Sequence, residues 1–156
     1  MRLHELPGEL SIQAFDFFYW FSQFKSALKE NKYLKSTKAG ERANPNWNAF
    51  VECWEMSYAI SANAQALLAL APKTQVIGKA GDLEWAQTVA KPGTSPLGQV
   101  VLMLKTVRNN LFHGGKHGEA FWDDPTRVQA LLSNAQRFLA ELAALGGFDA
   151  DYVRYY

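Results

Sequence analysis

Two thirds of the way along the chain, a short string combines side chains that can handle a phosphate and a proton: Val107-Arg108-Asn109-Asn110-Leu111-Phe112-His113. Arginine binds a phosphate through parallel hydrogen bonds, and histidine takes or gives a proton near neutral pH. In a helix, Asn109 and His113 share one face, whereas Arg108 and His113 lie roughly 140° apart around the axis and about 7.5 Å apart along it. Two copies of such a helix, related by two-fold symmetry, offer one way to place both groups on one phosphate.

The residues alone also permit a purely structural interpretation of this string. Positive side chains are stabilised near the C-terminal end of a helix. Arg108 and His113 are therefore also expected in a solvated last turn that has no catalytic role. His113 and His117 have the spacing of a helical metal-binding pair, but glycines surround them and no cluster of cysteines or carboxylates is adjacent. We therefore expect no metal site and no other cofactor.

Apolar residues that recur at helical spacing predict the helices that position this string. The predicted helices are residues 11–30 with Ser11 as N-cap, a region from Pro45 or Trp47 to Ala71, a third helix that opens at Ser95-Pro96 and ends at Gly114-Gly115, and a fourth from Asp124-Pro125 to Gly146-Gly147. The second region is either one long helix or two helices with a break near residues 57–61. The arginine and histidine therefore fall at the end of the third predicted helix.

A short β-hairpin is predicted between the second and third helical regions. Gln75–Ile77 and Leu83–Trp85 are β-like runs on either side of the turn-rich Gly78–Asp82. Residues 31–46 are expected to form a basic, polar connection, and the aromatic tail after Gly147 either packs back or frays. We therefore predict a single domain over residues 1–156, mainly all-α, in which a helical bundle carries a small β insertion.

The composition is that of a soluble globular protein. The chain has 156 residues, of which 48% are hydrophobic and 20% charged, and its formal net charge is +1. This near-neutral total argues against a protein that holds nucleic acid by bulk charge. The single cysteine, Cys53, excludes an intramolecular disulfide, and neither a signal peptide in residues 1–9 nor a membrane span is visible. We expect a cytoplasmic protein that does not associate with membranes.

Charged and aromatic residues are unevenly distributed along the chain. Residues 25–42 contain six lysines and arginines against two glutamates, and residues 85–118 contain four and no acidic residue. A symmetric dimer would bring two of these acid-free segments together as a positive cleft. Seven aromatic residues fall within residues 15–24. They are explained either by a central core helix or by a helix that also meets a partner subunit.

The string from Arg108 to His113 resembles the R-x4-H signature of the HEPN superfamily, in which an arginine and a polar residue are followed by a histidine. The longer RNNLFHGGK, from Arg108 to Lys116, is similar to one bacterial branch that is often described as Apea-like. Other stretches agree with that branch: residues 21–29 (FSQFKSALK), 44–47 (NPNW) and 71–76 (APKTQV). The resemblance runs in order from about residue 15 to the end of the fourth predicted helix.

The resemblance implies an up-down bundle of four to five helices that forms a homodimer. It also implies metal-independent endoribonuclease activity at a cleft where two copies of the motif face each other, with Arg108, Asn109 and His113 as catalytic residues. RNA supplies its own nucleophile, the 2′-hydroxyl, so neither an enzyme nucleophile nor a cofactor is required. Further RNA contacts are expected from residues around the motif: Lys105, Asn110, Lys116 and His117.

RNA is thus the expected substrate. The resemblance suggests a role in stress response or anti-phage defence, with an antitoxin or other defence protein as a partner. Gly115 stands where some toxins of this superfamily carry a tyrosine that becomes modified, so control by that modification is not supported. The alternative left open is a non-catalytic HEPN domain that serves as an RNA-binding or dimeric interaction module.

Overall fold

The computed structural model describes residues 8–112 and 124–153, and these residues are mainly helical. In chain order the elements are α1 (Gly8–Glu30), α2 (Trp47–Trp54), α3 (Ala62–Leu70), β1 (Lys73–Ile77), β2 (Leu83–Gln87), α4 (Pro96–Phe112), α5 (Pro125–Gly146) and α6 (Asp149–Tyr152). The predicted helical bundle with a small hairpin is confirmed at this level. None of the helices in the described part of the chain combines the length and the apolar character needed to cross a membrane.

Local capping signals place the starts of α4 and α5 where the sequence predicts them. Asp124 caps α5, because its Oδ1 accepts a hydrogen bond from the backbone N–H of Arg127 at 3.0 Å. Gly147 follows the last turn of α5 with a left-handed φ of +69°, a conformation that glycine adopts without strain. Ser95 caps α4 by accepting from the N–H of Gly98 at 3.2 Å.

The first two predicted helices differ from the structure in their boundaries. The predicted cap at Ser11 is wrong, because α1 already begins at Gly8 and Ser11 lies inside its first turns. The second region consists of two helices, which confirms one of the two alternatives. α2 ends at Trp54, and Ser61 begins α3 by accepting from the N–H of Ala64 at 3.1 Å.

The predicted hairpin is confirmed, and each strand extends two residues beyond its predicted outer end. β1 and β2 pair antiparallel with Gln75 opposite Trp85. The turn closes through a hydrogen bond from the N–H of Gly78 to the carbonyl of Asp82 at 2.7 Å, and Gly81 has a φ of +83° there. β1 lies against α4, so the hairpin is attached to the helix that carries the motif.

The core lies between α1, α5 and the shorter helices. α1 packs along α5, and α3 packs against both α4 and α5. Aromatic rings in mutual contact fill the space between α1, α2 and the C-terminal segment: Phe21, Phe24, Trp47, Phe50, Phe148 and Tyr152. Phe148 and Tyr152 are buried, so the described part of the tail packs back onto the bundle.

The aromatic-rich α1 has two different faces. Phe17, Phe21 and Phe24 are buried, which confirms the interpretation of α1 as a core helix. Ile12 and Phe15 point away from the core and are 65% and 68% exposed. A contact between this outer face and a partner subunit stays a prediction.

Candidate functional site

The C-terminal half of α4 carries the described part of the motif. Val107 and Leu111 continue the apolar stripe of the helix and are buried. Successive helical residues turn by about 100°, so Arg108 and Asn109, which follow Val107, point away from this stripe. Arg108 is half-buried and Asn109 is exposed. The packed stripe therefore holds the helix in place while these two side chains reach the surface.

The Arg108 side chain contacts a neighbour on α4 and an aromatic ring on α1. Its Nη1 donates a hydrogen bond to Oδ1 of Asn109 at 3.2 Å, and its Cζ lies 6.0 Å from the centre of the Phe21 ring. The face of an aromatic ring attracts a guanidinium at this range. Because Asn109 uses its oxygen to accept from Arg108, its Nδ2 carries the hydrogens that can donate to a phosphate.

Lys25 adds a second cation beside Arg108. It lies one turn after Phe21 on α1, the helix against which Arg108 rests. Burial lowers the pKa of Lys25, and the charges of Arg108, Lys29 and Arg42 lower it further. The surroundings of Arg108 are therefore electropositive.

Lys105 precedes Arg108 by one turn of α4 and is half-buried in a cleft of about 490 Å³. The cleft lies between α2 and α4 and beside the segment that follows β2, and Glu52 and Glu55 are among its lining residues. Burial lowers the pKa of Lys105, and the charge of Lys35 lowers it further. A partly desolvated ammonium in a cleft of this kind is a suitable partner for an anion.

Asn110 is placed differently from the rest of the motif. Its side chain is only 8% exposed, and its Nδ2 donates to the backbone carbonyl of Lys73 at 2.8 Å. The amide therefore joins α4 to the first residue of β1. The sequence holds a signal for this placement, since Asn110 is three residues after Val107 and directly precedes Leu111 on the core stripe.

The remaining predicted site residues, His113, Lys116 and His117, lie outside the described residues. Their roles as catalytic and RNA-binding residues stay predictions. Within residues 8–112 and 124–153, no three histidine, cysteine, aspartate or glutamate side chains come together as a group that could hold a metal ion.

Four cations of the basic segment 25–42 lie near the site: Lys25, Lys29, Lys35 and Arg42. The sequence alone leaves open whether the lysines of residues 25–38 line an RNA path or form a solvated basic face. The uneven charge of residues 25–42 was the available signal. It does not tell which part of the molecule this segment approaches, because that depends on how α1 and the following connection pack against α4.

Comparisons with known proteins do not assign the chain to a family. No protein-family model, no curated protein and no solved structure matches the chain. The HEPN resemblance therefore depends on the residues quoted for it, and the activity that it implies is a proposal.

Proposed function

We propose that the protein is a metal-independent endoribonuclease of the HEPN type that acts as a homodimer. The observation that carries the proposal is the setting of Arg108, which bonds to Asn109, rests on Phe21 and is flanked by Lys25 and Lys105. Guanidinium and ammonium groups in such a setting bind phosphate. RNA is the phosphate-bearing substrate that the R-x4-H motif implies.

The chemistry needs only the substrate and the motif side chains. The 2′-oxygen of RNA attacks the neighbouring phosphorus, and the bond to the 5′-oxygen breaks. His113 takes the proton of the 2′-hydroxyl or gives one to the departing 5′-oxygen, while Arg108 stabilises the charge that develops on the phosphate. Asn109 donates to the phosphate or orients His113. The products are a 2′,3′-cyclic phosphate and a 5′-hydroxyl, and DNA is not cut by this route because it lacks the 2′-hydroxyl.

The outer face of α1 supports the homodimer in this proposal. Ile12 and Phe15 are large apolar side chains, more than half exposed, and Phe18 next to them is 36% exposed. Exposed apolar surface of this kind is typical of protein interfaces. Phe21 and Lys25 follow on the same helix, so the proposed subunit contact and the surroundings of Arg108 share α1.

A non-catalytic HEPN domain that binds RNA or a partner is the second candidate. The cations around Arg108 and the apolar face of α1 favour it as well, since both features serve binding whether or not a proton is transferred. Only cleavage separates the two functions.

The decisive experiment is RNA cleavage in the presence of EDTA. Wild type should cut RNA and leave 2′,3′-cyclic phosphate ends, and Arg108→Ala and His113→Ala should each lower the rate by at least about 100-fold. Arg137→Ala is the matched control, because Arg137 is an exposed arginine on α5 outside this arrangement. Its cleavage rate should equal that of wild type.

Cleavage that survives both motif substitutions, or that requires an added metal, would overturn the proposed mechanism. Binding of RNA without cleavage by wild type would instead support the non-catalytic module. A strict monomer at micromolar concentration would exclude the composite site, since a second copy is needed to complete it.

A further inference from the structure

Three segments of the chain supply cations to one surface around Arg108. The basic cluster, as we call it, comprises Lys25 and Lys29 of α1, Lys35 and Arg42 of the connection 31–46, and Lys105 and Arg108 of α4. The first four belong to the basic segment 25–42, and the last two to the acid-free segment 85–118. Two stretches that are far apart in sequence are therefore brought together by the fold.

The connection 31–46 is fastened to the bundle, so its cations have a defined place. Lys35 donates its N–H to the carbonyl of Asn44 at 2.9 Å, next to the β-bridge between residues 34 and 45. Asn46 donates to the carbonyl of Tyr33 at 2.8 Å, and the Tyr33 hydroxyl accepts from Nε1 of Trp54 on α2 at 2.9 Å. These bonds close the connection into a loop that is attached to α2.

The cations of the cluster act on one another. Lys25 is affected by Arg108, Lys29 and Arg42, and Lys105 is affected by Lys35. In both cases the neighbouring positive charges disfavour the charged amine, in the same direction as burial. The geometry agrees, because the Arg108 guanidinium lies over the Phe21 ring and Lys25 is one turn after Phe21 on α1.

The lysines of the cluster and Arg42 are not held in close ion pairs within the described residues. An ion pair in the connection joins Lys38 to Glu41 at 3.8 Å on the exposed surface, and it lies outside the cluster. Lys25, Lys29, Lys35, Arg42 and Lys105 form no ion pair with a carboxylate in residues 8–112 or 124–153. Like charges held close together oppose folding, whereas a bound polyanion converts the same charges into binding energy.

We propose that the basic cluster binds successive phosphates of an RNA strand and leads the strand to Arg108. This inference rests on the proposed function, in which the bond to be cut lies at Arg108. Lys25 approaches Arg108 from α1 and Lys105 precedes it by one turn on α4, so phosphates next to the cut meet cations from two helices. The cluster thereby makes a near-neutral protein bind RNA along one surface.

The experiment measures how salt weakens the binding of a labelled oligonucleotide. The oligonucleotide is single-stranded, about 12 nucleotides long, and carries 2′-O-methyl ribose. It cannot be cleaved, because it has no free 2′-hydroxyl. Fluorescence anisotropy gives the affinity between about 50 and 200 mM salt, and the slope of log K against log salt reports the number of phosphates contacted. The variants are Lys25→Ala with Lys29→Ala, and Lys35→Ala with Lys105→Ala. The control is Lys79→Ala with Arg137→Ala, which removes two cations outside the cluster.

Each pair of substitutions within the cluster should reduce the magnitude of the slope by about 1.4, since a single strand loses about 0.7 for each phosphate contact. The control pair should keep the slope of wild type. Thermal unfolding should show no loss of stability in the cluster variants, because removal of a like charge relieves repulsion. Unchanged slopes in both cluster variants, or an equal reduction in the control, would overturn the inference.

A polyglutamate peptide tests the other polyanion that such a surface can hold, an acidic protein segment. If the peptide binds more tightly than RNA and the same substitutions abolish its binding, the RNA assignment is wrong. The inference and the proposed function fail separately. If the slopes are reduced but wild type does not cleave ordinary RNA, the RNA-binding surface is supported and the nuclease proposal is wrong. If wild type cleaves RNA but the slopes are unchanged, the nuclease proposal is supported and the RNA-binding surface is wrong.

Discussion

Three consecutive residues of α4 have three different surroundings. Arg108 rests on the Phe21 ring, Asn109 is exposed, and Asn110 is buried and bonded to the carbonyl of Lys73. The cause is the turn of about 100° per residue, which points sequence neighbours at different parts of the molecule. Arg108 and Asn109 therefore belong to the candidate site, whereas Asn110 stabilises the fold.

Alanine at Asn110 should destabilise the protein, whereas alanine at Asn109 should not. Asn110→Ala removes the donor to the Lys73 carbonyl, and the free energy of unfolding should fall by about 0.5 to 1.5 kcal/mol. Asn109→Ala changes an exposed residue and should alter it by less than about 0.5 kcal/mol. Urea unfolding of both variants measures the difference. Equal values would show that Asn110 has no special role in holding β1.

At the scale of elements, α1 serves two surfaces at once. Its inner face provides the rings that pack against α2, α5 and the C-terminal segment. Its outer face exposes Ile12 and Phe15, and its last turns carry Lys25 and Lys29 beside α4. One helix thereby links the core, the proposed subunit contact and the proposed RNA surface.

Substitution by alanine should have different effects at two phenylalanines of α1, on stability at one and on self-association at the other. Phe17 is fully buried, so Phe17→Ala should lower the free energy of unfolding by about 3 to 5 kcal/mol. Phe15→Ala removes an exposed ring and should leave the stability of the single subunit nearly unchanged, but it should reduce self-association. Urea unfolding and sedimentation at several concentrations measure the two effects. An unchanged dimer fraction in Phe15→Ala would place the subunit contact elsewhere.

At the scale of the whole molecule, tyrosines and lysines that are buried or half-buried have opposing effects on stability in alkaline solution. Burial raises the pKa of Tyr33, Tyr58 and Tyr152 above 10.0 and lowers the pKa of Lys25 and Lys105 below 10.5. The tyrosines stabilise the fold fully below pH 10 and lose this effect as the pH rises towards their folded-state pKa. The lysines do the reverse, because the penalty for their charge disappears as the pH rises towards 10.5.

Tyr152 should dominate this balance, because burial raises its pKa far more than that of the other tyrosines. Wild type should lose stability as the pH rises above about 10, and Tyr152→Phe should lose much less, since phenylalanine has no proton to release. Guanidinium unfolding between about pH 8 and pH 11 measures both proteins. Tyr58→Phe is the control and should change the curve less. Identical curves for wild type and Tyr152→Phe would show that α6 does not stay buried in solution.

Most of the secondary structure follows from the sequence alone. The caps at Ser95 and Asp124, the glycine after α5 and the hairpin between Gln75 and Trp85 are all in the structure where the residue pattern predicts them. These features depend on hydrogen bonds and backbone preferences within a few residues of one another, so a local pattern is sufficient. The start of α1 is missed because Ser11, a residue type that favours N-caps, lies inside this helix.

The placement of side chains from different segments is decided only by the tertiary structure. Whether Phe15 or Phe17 faces the core depends on where α5 and α2 lie, and an α1 that is apolar on nearly all sides does not specify this. Segment 25–42 is visibly basic in the sequence, yet its approach to Arg108 results from long-range packing of α1 and the fastened connection. The sequence by itself determined the motif and the helix that carries the motif. The tertiary packing decided which charges surround Arg108, because electrostatic interactions depend on distance in space and not on separation along the chain.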